Sequence, residues 1–559
     1  MLFRSQFFHQ EDRRGLFGYF ERTFEALRSG YERALAWSLT NRSAILAAAG
    51  VAFAGALVLY PLIGRELFPQ VDAGQFMIRV RGQSGTRIER MEDLIKEVEA
   101  ALREEIPERD RKMIISNIGV LYDWPAAYTP NSGPQDAFIN VQLQAERVNT
   151  AQAYVAKLRD DLPSRFPGVE FSFDTGGLLT AALNFGLPSP INIQVEGNDL
   201  HTSMSIAQQI KSLIESVPGA TDVRIQQRLD YPQIDLDVDR VKAATLGLTQ
   251  QDVVKNTVSA LNSSVNFDPA FWIDDKTGNH YFLGVQYPEN RIESKETLEN
   301  IPITGPDQRN ASLLRNIAHF KRSTGTLEVE HLNIVRVVDV FANVQGRDVG
   351  SFAGEIQGNL GAIEVPSGYR VQMRGEVSSM QESFQSLSFG LVLAAVLVYL
   401  VMVAQFRSFL DPFIIMFAVP LGLIGVIAIL LATGTTLNIQ SFMGVIFMVG
   451  IAVSNSILLV EFSNRLMRGG LTIREAVIRA GAVRLRPILM TSIAAVLGLL
   501  PMAFGVGRGA EANVPLARAV IGGLTVSTVL TLFVVPVLYT LLKRERGAVG
   551  VDVVPPQES

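Results

Sequence analysis

Six long apolar stretches that contain no charged side chain constrain this chain more than any other feature of its sequence. The hydrocarbon core of a bilayer is about 30 Å thick, and a helix needs about 17–25 consecutive apolar residues to cross it. Such stretches occupy residues 43–63, 387–404, 412–431, 442–460, 488–504 and 519–542. The sequence therefore predicts an integral membrane protein with six transmembrane helices.

The distribution of basic residues predicts how these helices are oriented. Arginine and lysine cluster in residues 1–42, between the fourth and fifth stretches, and in residues 543–559. Because loops rich in Lys and Arg stay in the cytoplasm, both termini are expected there, and residues 64–386 are expected on the other side. Within residues 1–42, Phe17, Phe20, Phe24, Leu27 and Tyr31 recur at helical spacing, which predicts an amphipathic helix at the membrane interface.

A second short helix is predicted between the fourth and fifth stretches. Thr472 and Glu475 have the spacing of a capping box, and apolar residues follow at helical intervals. Pro487 is expected to open the fifth span, since proline fits the first turn of a helix.

The long segment between the first two stretches changes to a mixed α/β pattern. Short apolar or alternating strands are separated by amphipathic helices, in an order that reads βαββαβ and then repeats. We predict two ferredoxin-like α+β subdomains, the second interrupted by a strand-rich subdomain. The expected boundaries are 64–188 for the first subdomain, 189–262 with 327–378 for the second, and 263–326 for the inserted one.

Composition excludes several other classes of protein. The 559 residues carry a net charge of only -5 and no long basic run, so nucleic acid is not an expected partner. The chain has no cysteine and therefore neither disulfides nor thiolate metal sites. It contains no Gly-Lys dipeptide for a P-loop and no Gly-x-Ser-x-Gly motif. We predict neither an enzyme nor a bound cofactor, and membrane lipid is the expected surrounding.

Several local motifs, together with this layout, resemble one protein family. The segments are 67–76 (LFPQVDAGQF), 231–239 (YPQIDLDVD), 450–462 and 484–492 (RLRPILMTS). They resemble the carboxy-terminal half of a resistance-nodulation-division (RND) efflux permease of the hydrophobe/amphiphile, AcrB-type branch. The resemblance implies a homotrimeric, proton-driven pump of the bacterial inner membrane. It also implies an amino-terminal half with six further spans, a periplasmic adaptor and an outer-membrane channel as partners, and two porter subdomains with a docking subdomain in the insert.

The same resemblance implies a proton-coupling site in the membrane. It places Ser454, Asn455, Arg484 and Thr491 at relay positions, with Ser454 standing where the family has a lysine. The six apolar stretches hold no ionisable residue of their own, so the proton-carrying carboxylates are expected from the missing half. Two structural alternatives remain open: Gly450 and Ser454 as a close-packing pair, and Arg484 as a positive-inside anchor.

A substrate-binding site is expected in the first subdomain. The loop at 121–130 contains Tyr122, Trp124 and Tyr128 where the family has a switch loop, and Phe138 on the next strand matches a pocket phenylalanine. Aromatic rings suit flat, apolar or cationic ligands. The alternative is that these rings pack the subdomain or a subunit contact.

Two other functions remain open at this point. An RND exporter of metal ions would need metal ligands placed together in the porter cleft, whereas the histidines are scattered along the sequence. A truncated or scaffold-like half would not transport on its own. The main expectation is proton-driven export of hydrophobic or amphiphilic compounds.

Overall fold

Six helices of the computed structural model are long and apolar enough to cross a membrane, which confirms the predicted number of spans within the described part of the chain. The structure describes residues 16–120, 131–175, 187–306, 310–507 and 509–543. Spans one to six are Arg42–Leu62, Glu376–Phe406, Leu410–Ala432, Ile439–Arg468, Ile473–Ala503 and Ala510–Leu542. Most of these helices are longer than the predicted apolar stretches, because they continue into the polar sequence on either side.

Spans three, four and six form the centre of the bundle and bury half or more of their residues, whereas spans one and two bury few. Spans three and six approach each other at glycines. A Cβ atom on Gly425 would overlap the carbonyl oxygen of Gly522, and one on Gly522 would overlap Ile429. Small residues of this kind let helix backbones approach closely in a lipid environment, where packing drives association.

The helix Leu16–Thr40 precedes span one and packs against spans five and six. Its buried residues, among those whose side chains the structure describes, are Tyr31, Leu35, Ser38 and Leu39. The Tyr31 hydroxyl donates to the carbonyl oxygen of Leu532 at 2.9 Å. Of the predicted apolar face, Tyr31 is buried but Leu27 is 52% exposed, so the contact with the bundle involves Leu35 and Leu39, which the prediction did not include. The helix covers the end of the bundle where the chain enters span one and leaves span six, called here the terminal side. The opposite end, which carries the insert, is called the insert side.

The fifth span differs from its prediction at one point. Thr472 and Glu475 do form the predicted capping box, in which each side chain accepts from the other's backbone N–H. The helix then runs without interruption from Ile473 to Ala503, so the prediction that Pro487 opens the span is wrong. Proline inside a membrane helix is tolerated because neighbouring groups and local adjustments satisfy the freed backbone atoms.

The insert contains fifteen described strands and several helices. In chain order the strands are β1 (Gln75–Arg81), β2 (Arg111–Ile118), β3 (Asp136–Leu143), β4 (Glu170–Asp174), β5 (Ile191–Glu196), β6 (Ala220–Ile225), β7 (Tyr231–Val238), β8 (Ala270–Ile273), β9 (His280–Leu283), β10 (Pro302–Ile303), β11 (Ser312–Leu313), β12 (Ala318–Gly325), β13 (Glu330–Leu332), β14 (Val335–Val344) and β15 (Arg370–Arg374). The helices are Ile88–Glu105, Ala151–Arg165, Leu200–Glu215, Arg240–Thr245, Gln250–Asn262, Lys295–Glu299 and Val349–Leu360.

The first subdomain is a four-stranded antiparallel sheet in the order β2-β3-β1-β4. Burial alternates along β1: Phe76, Ile78 and Val80 lie in the core, among residues of the helices Ile88–Glu105 and Ala151–Arg165. Because successive strand residues point to opposite faces, Arg79 and Arg81 lie on the face away from this core.

The second subdomain repeats this arrangement. Its sheet has the order β13-β14-β5-β15, and β6 also pairs with β14. The helices Leu200–Glu215 and Val349–Leu360 contribute to its core with Phe352, Ile206 and Ile210.

The inserted subdomain is larger than predicted. β7 pairs with β12 in a separate two-stranded sheet, so β7 is not part of the second subdomain's sheet. Ala243, Leu248 and Val253 share a hydrophobic core with Ile301 and Ile303. The predicted boundary between 262 and 263 is therefore corrected to the start of β7, because a strand is assigned by its hydrogen-bonded partner, which its own sequence does not reveal.

The close approach of spans three and six generates a first prediction. Replacing Gly425 with alanine should destabilise the bundle by about 1–3 kcal/mol, since the added methyl group meets backbone atoms that cannot rotate away. The measurement is the thermal unfolding midpoint of the purified protein in detergent. Gly498→Ala is the matched control, because nothing lies within 4 Å of a Cβ atom at that position. An equal midpoint for both variants would contradict the packing described here.

Candidate functional site

A chain of hydrogen-bonded polar side chains joins spans four, five and six inside the bundle. The Asn455 amide nitrogen donates to Ser492 Oγ at 3.2 Å, and Thr491 Oγ1 donates to Asn455 Oδ1 at 3.2 Å. Ser492 Oγ and Thr528 Oγ1 lie 2.9 Å apart. Asn455 and Thr491, both predicted at relay positions, are thus in direct contact, while Ser492 and Thr528 are additional members that the sequence did not single out.

This polar chain stabilises the packing of three spans. Asn455, Ser492 and Thr528 are each about 95% buried. A polar group without a partner in hydrocarbon costs several kcal/mol, so the amide oxygen and nitrogen of Asn455 must both be bonded. Neutral amides and hydroxyls can orient a proton or a water molecule, but they do not carry charge across the membrane.

Ser454 lies on a different face of span four from Asn455. Ser454 is exposed. Other exposed residues of this stripe are Met443, Phe447, Gly450 and Glu461. With Ser454 they follow one another at intervals of three, four or seven residues, so they lie along one side of the helix. A Cβ atom on Gly450 would meet nothing within 4 Å. In the described part of the chain, Gly450 therefore packs against no other helix, and Ser454 is exposed beside it, so this stripe of span four is open to another partner.

Arg484 lies apart from the polar chain. Its guanidinium carbon is 4.7 Å from the ring centroid of Phe462, on the neighbouring span. Its Nε is buried and has no hydrogen-bond partner among the described residues. Arg484 thus contacts span four at its terminal-side end, and it does not hydrogen-bond with Asn455 or Thr491 in the part of the chain that the structure describes.

A buried ion pair at the terminal side was not predicted from the sequence. Lys543 Nζ lies 2.7 Å from Asp411 Oδ1, and the Asn464 amide nitrogen donates to Asp411 Oδ2 at 3.1 Å. The Tyr539 hydroxyl donates to Asn464 Oδ1 at 2.6 Å, and Lys543 contacts the same oxygen. This cluster ties the start of span three to the ends of spans four and six. The available sequence signal was that Asp411 and Lys543 directly flank apolar stretches.

A buried carboxylate occupies the junction on the insert side. Glu66 follows span one, is 8% exposed, and accepts a hydrogen bond from Thr436 Oγ1 at 3.0 Å. The pKa of Glu66 is raised to about 7, mainly by burial and to a smaller extent by the nearby carboxylates of Glu376 and Asp348, while the Thr436 hydrogen bond acts in the opposite direction. Glu66 is therefore a group that changes charge near neutral pH.

The backbone on either side of Glu66 connects the bundle to the second subdomain. The Arg65 N–H donates to Asp348 Oδ2 at 2.8 Å, and the Gly350 N–H donates to the Arg65 carbonyl at 2.8 Å. The Glu66 N–H donates to the carbonyl of Leu437, between spans three and four, at 3.1 Å. Span one, this loop and the helix Val349–Leu360 thus meet at the backbone of Arg65 and Glu66.

The predicted substrate residues are only partly within the described chain. Tyr122, Trp124 and Tyr128 lie outside the described residues. Phe138 pairs in register with Arg79 on β1 and is half-buried. Both side chains lie on the sheet face away from the core of the first subdomain.

Comparison with protein families gives one match that spans nearly the whole chain. The model of the AcrB/AcrD/AcrF family matches residues 3–543. The cobalt-zinc-cadmium resistance protein CzcA of Cupriavidus metallidurans is 29% identical over 92% of this chain and 48% of its own length. The nickel and cobalt resistance protein CnrA of the same organism is 29% identical over 94% of this chain. The multidrug resistance protein MdtC of Serratia proteamaculans is 25% identical over 93% of this chain.

Comparison with solved structures also gives a match over most of the chain. A crystal structure of a heavy metal efflux pump superposes with a TM-score of 0.81 and 26% sequence identity, and the match covers 93% of this chain and 52% of that one. The chain spans about half the length of the curated relatives it matches.

The burial of Glu66 predicts how the stability of the folded protein depends on pH. Because its folded-state pKa of about 7 exceeds the usual 4.5, the folded protein binds this proton more tightly than the unfolded one. The contribution of this proton to the free energy of unfolding is fully present below about pH 4.5 and is lost as the pH rises to about 7. The change is roughly 3 kcal/mol. Glu66→Gln should flatten this part of the pH dependence of thermal unfolding.

The exposed Glu97 on the helix Ile88–Glu105 offers a control for this experiment. Glu97→Gln should retain the wild-type pH dependence. If Glu66→Gln and wild type lost stability equally over this pH interval, Glu66 would not be the titrating group.

Proposed function

Because this chain belongs to the AcrB/AcrD/AcrF family, within the RND superfamily of efflux permeases, we propose that it forms the carboxy-terminal half of a proton-driven permease that exports divalent metal cations. The observation that carries this proposal is the superposition of 93% of the chain on a heavy metal efflux pump. Two of the relatives, CzcA and CnrA, bear names of metal resistance and align along more than nine-tenths of the chain. This proposal replaces the amphiphilic cargo expected from the sequence.

The proposed cargo binds transiently and is then released. A transport pathway needs sites that hold an ion firmly enough to enter and weakly enough to leave. A closed set of ligands around one ion is therefore not required. Among the described residues, no group of three or more His, Cys, Asp or Glu side chains is placed so that it could hold a metal ion. Since the sequence lacks cysteine, we propose oxygen, imidazole and thioether groups as successive ligands.

We propose that the energy comes from proton flow through groups that this chain does not supply at mid-membrane depth. Among its polar groups there are the neutral side chains of Asn455, Thr491, Ser492 and Thr528. Proton-driven carriers use ionisable residues inside the bundle. The open stripe of span four around Gly450 and Ser454 is the proposed contact with the amino-terminal half, whose carboxylates would face the Ser454 hydroxyl.

The proposed assembly follows from this arrangement. We propose that the bundle lies in the bacterial inner membrane with the insert in the periplasm and both termini in the cytoplasm. The complete permease is proposed as a homotrimer that delivers its cargo to a periplasmic adaptor and an outer-membrane channel. Glu66, at the joint between bundle and insert, is proposed to transmit a change of protonation to the second subdomain.

A second candidate is export of amphiphilic compounds. The multidrug resistance protein MdtC also aligns with 93% of the chain. Phe138 presents an aromatic ring on the face of the first sheet that lies away from the core. A ring in that position suits an apolar ligand better than a metal cation.

Deletion of the gene in the source organism tests the two cargoes directly. The strain without this chain should tolerate several-fold less cobalt, zinc, cadmium or nickel, and should accumulate the cation, as measured by elemental analysis of washed cells. Expression of the wild-type chain should restore tolerance, whereas Gly425→Ala should restore less. Unchanged metal tolerance together with increased dye accumulation would favour the second candidate, and no change in either would contradict efflux.

A further inference from the structure

One side of span five carries an exposed stripe that begins with two arginines and continues with apolar side chains. In chain order the stripe consists of Arg479, Val483, Arg486, Met490, Ile493 and Leu497. Because a helix turns by about 100° per residue, these positions lie within about 40° of one line along the helix. The apolar stretch begins at residue 488, so both arginines lie at the terminal-side end of the stripe. It is called here the span-five stripe.

The span-five stripe lies away from the contacts that hold this helix in the bundle. Thr491 and Ser492 bond to Asn455 of span four, and Ser492 also bonds to span six. Both residues lie about 120–140° around the helix from the centre of the stripe. The side chains of the stripe are therefore left exposed by the part of the chain that the structure describes.

Neither arginine of the stripe has an anionic partner among the described residues. Arg479 and Arg486 form no ion pair or hydrogen bond there. Glu475, the one acidic residue of the helix, accepts a hydrogen bond from Thr472 Oγ1 at 2.8 Å in the capping box. The guanidinium carbon of Arg486 lies 5.7 Å from the ring centroid of Phe24, on the helix Leu16–Thr40. The ring orients Arg486 but does not neutralise its charge.

The order of basic and apolar groups along the stripe matches a phospholipid. Guanidinium groups bind phosphate oxygens through charge-assisted hydrogen bonds, and an acyl chain covers apolar side chains inside the membrane. Each basic residue at the membrane surface favours an anionic lipid about fivefold. The preference of basic residues for the cytoplasm explains on which side of the membrane the arginines lie. It does not explain why both precede the exposed apolar residues on one side of one helix.

We infer that the span-five stripe binds an anionic phospholipid, with the phosphate at Arg479 and Arg486 and an acyl chain along Met490 and Ile493. A membrane lipid fits better than a free phosphate, because the apolar residues continue directly from the basic ones. Since Phe24 contacts Arg486, the headgroup lies beside the helix that leads into span one. The site goes beyond the proposed export of cations, because its ligand is anionic and stays in the membrane.

A fluorescent label on the stripe tests this site in the full-length chain. Because the sequence contains no cysteine, Ile493→Cys gives a single attachment point for a bimane label. The labelled protein is reconstituted in phosphatidylcholine that contains a small fraction of brominated lipid, which quenches bimane on contact. Brominated phosphatidylglycerol should quench the label at a mole fraction about tenfold lower than brominated phosphatidylcholine, which has the same phosphate but no net charge.

Matched variants separate the site from a general attraction of anionic lipid. Arg479→Gln and Arg486→Gln should each reduce the preference for phosphatidylglycerol about fivefold. Arg468→Gln removes an exposed arginine of span four and should leave the preference unchanged. A label at Val51, which is also exposed, should show no preference. Val51 follows Arg42 by nine residues and therefore lies on the opposite side of span one from that arginine.

The inference is overturned if both lipids quench the label at Ile493 equally, if the preference at Val51 is the same, or if both arginine variants retain it. Displacement of the lipid by inorganic phosphate at constant ionic strength would identify a free anion and overturn it too. Loss of the preference on adding the amino-terminal half would assign the stripe to the interface between the halves, which also contradicts a lipid site. Met490→Cys provides a second label position if the Ile493 variant does not fold.

Discussion

The close contact between spans three and six is the interaction on which the rest of the bundle depends. A membrane interior offers no water to unbonded backbone groups, so each span must be a helix, and helices associate there through packing and side-chain hydrogen bonds. Gly425 and Gly522 allow two backbones to meet with no side chain between them. Span four packs beside this pair, with Asn455 bonded to its neighbours on one face and Ser454 exposed on another.

The charged groups of the membrane domain follow from the same constraint. Asp411 and Lys543 meet at the terminal side, and Glu66 is buried at the insert side. Among the described residues, the polar side chains in the middle of the bundle are neutral, as the six apolar stretches require. The arrangement concentrates electrostatic interactions at two ends, where they connect the spans to each other and to the insert. The backbone of Arg65, next to Glu66, is hydrogen-bonded to the Asp348 side chain of the second subdomain.

The sequence predicted features that depend on local periodicity and missed those that depend on distant partners. Apolar length was sufficient for six spans, and the Thr472 capping box is a local pattern that the structure confirms. The partner of β7 is β12, more than seventy residues away, so its sequence could not assign it to a sheet. The resemblance to a family placed Asn455 and Thr491 near one another, yet it did not reveal that Ser454 points elsewhere. Pairing of Asp411 with Lys543 required knowledge of which span ends are adjacent.

We propose that this chain provides a scaffold and a responding surface, while proton-carrying groups come from the amino-terminal half. Reconstitution of the purified chain alone into liposomes that enclose a pH-sensitive dye, followed by addition of zinc or cobalt under an imposed pH gradient, tests this most directly. We expect no cation-dependent proton movement by the chain alone, and proton movement when the amino-terminal half is reconstituted with it. Proton-coupled cation transport by this chain without any partner would contradict this division of roles.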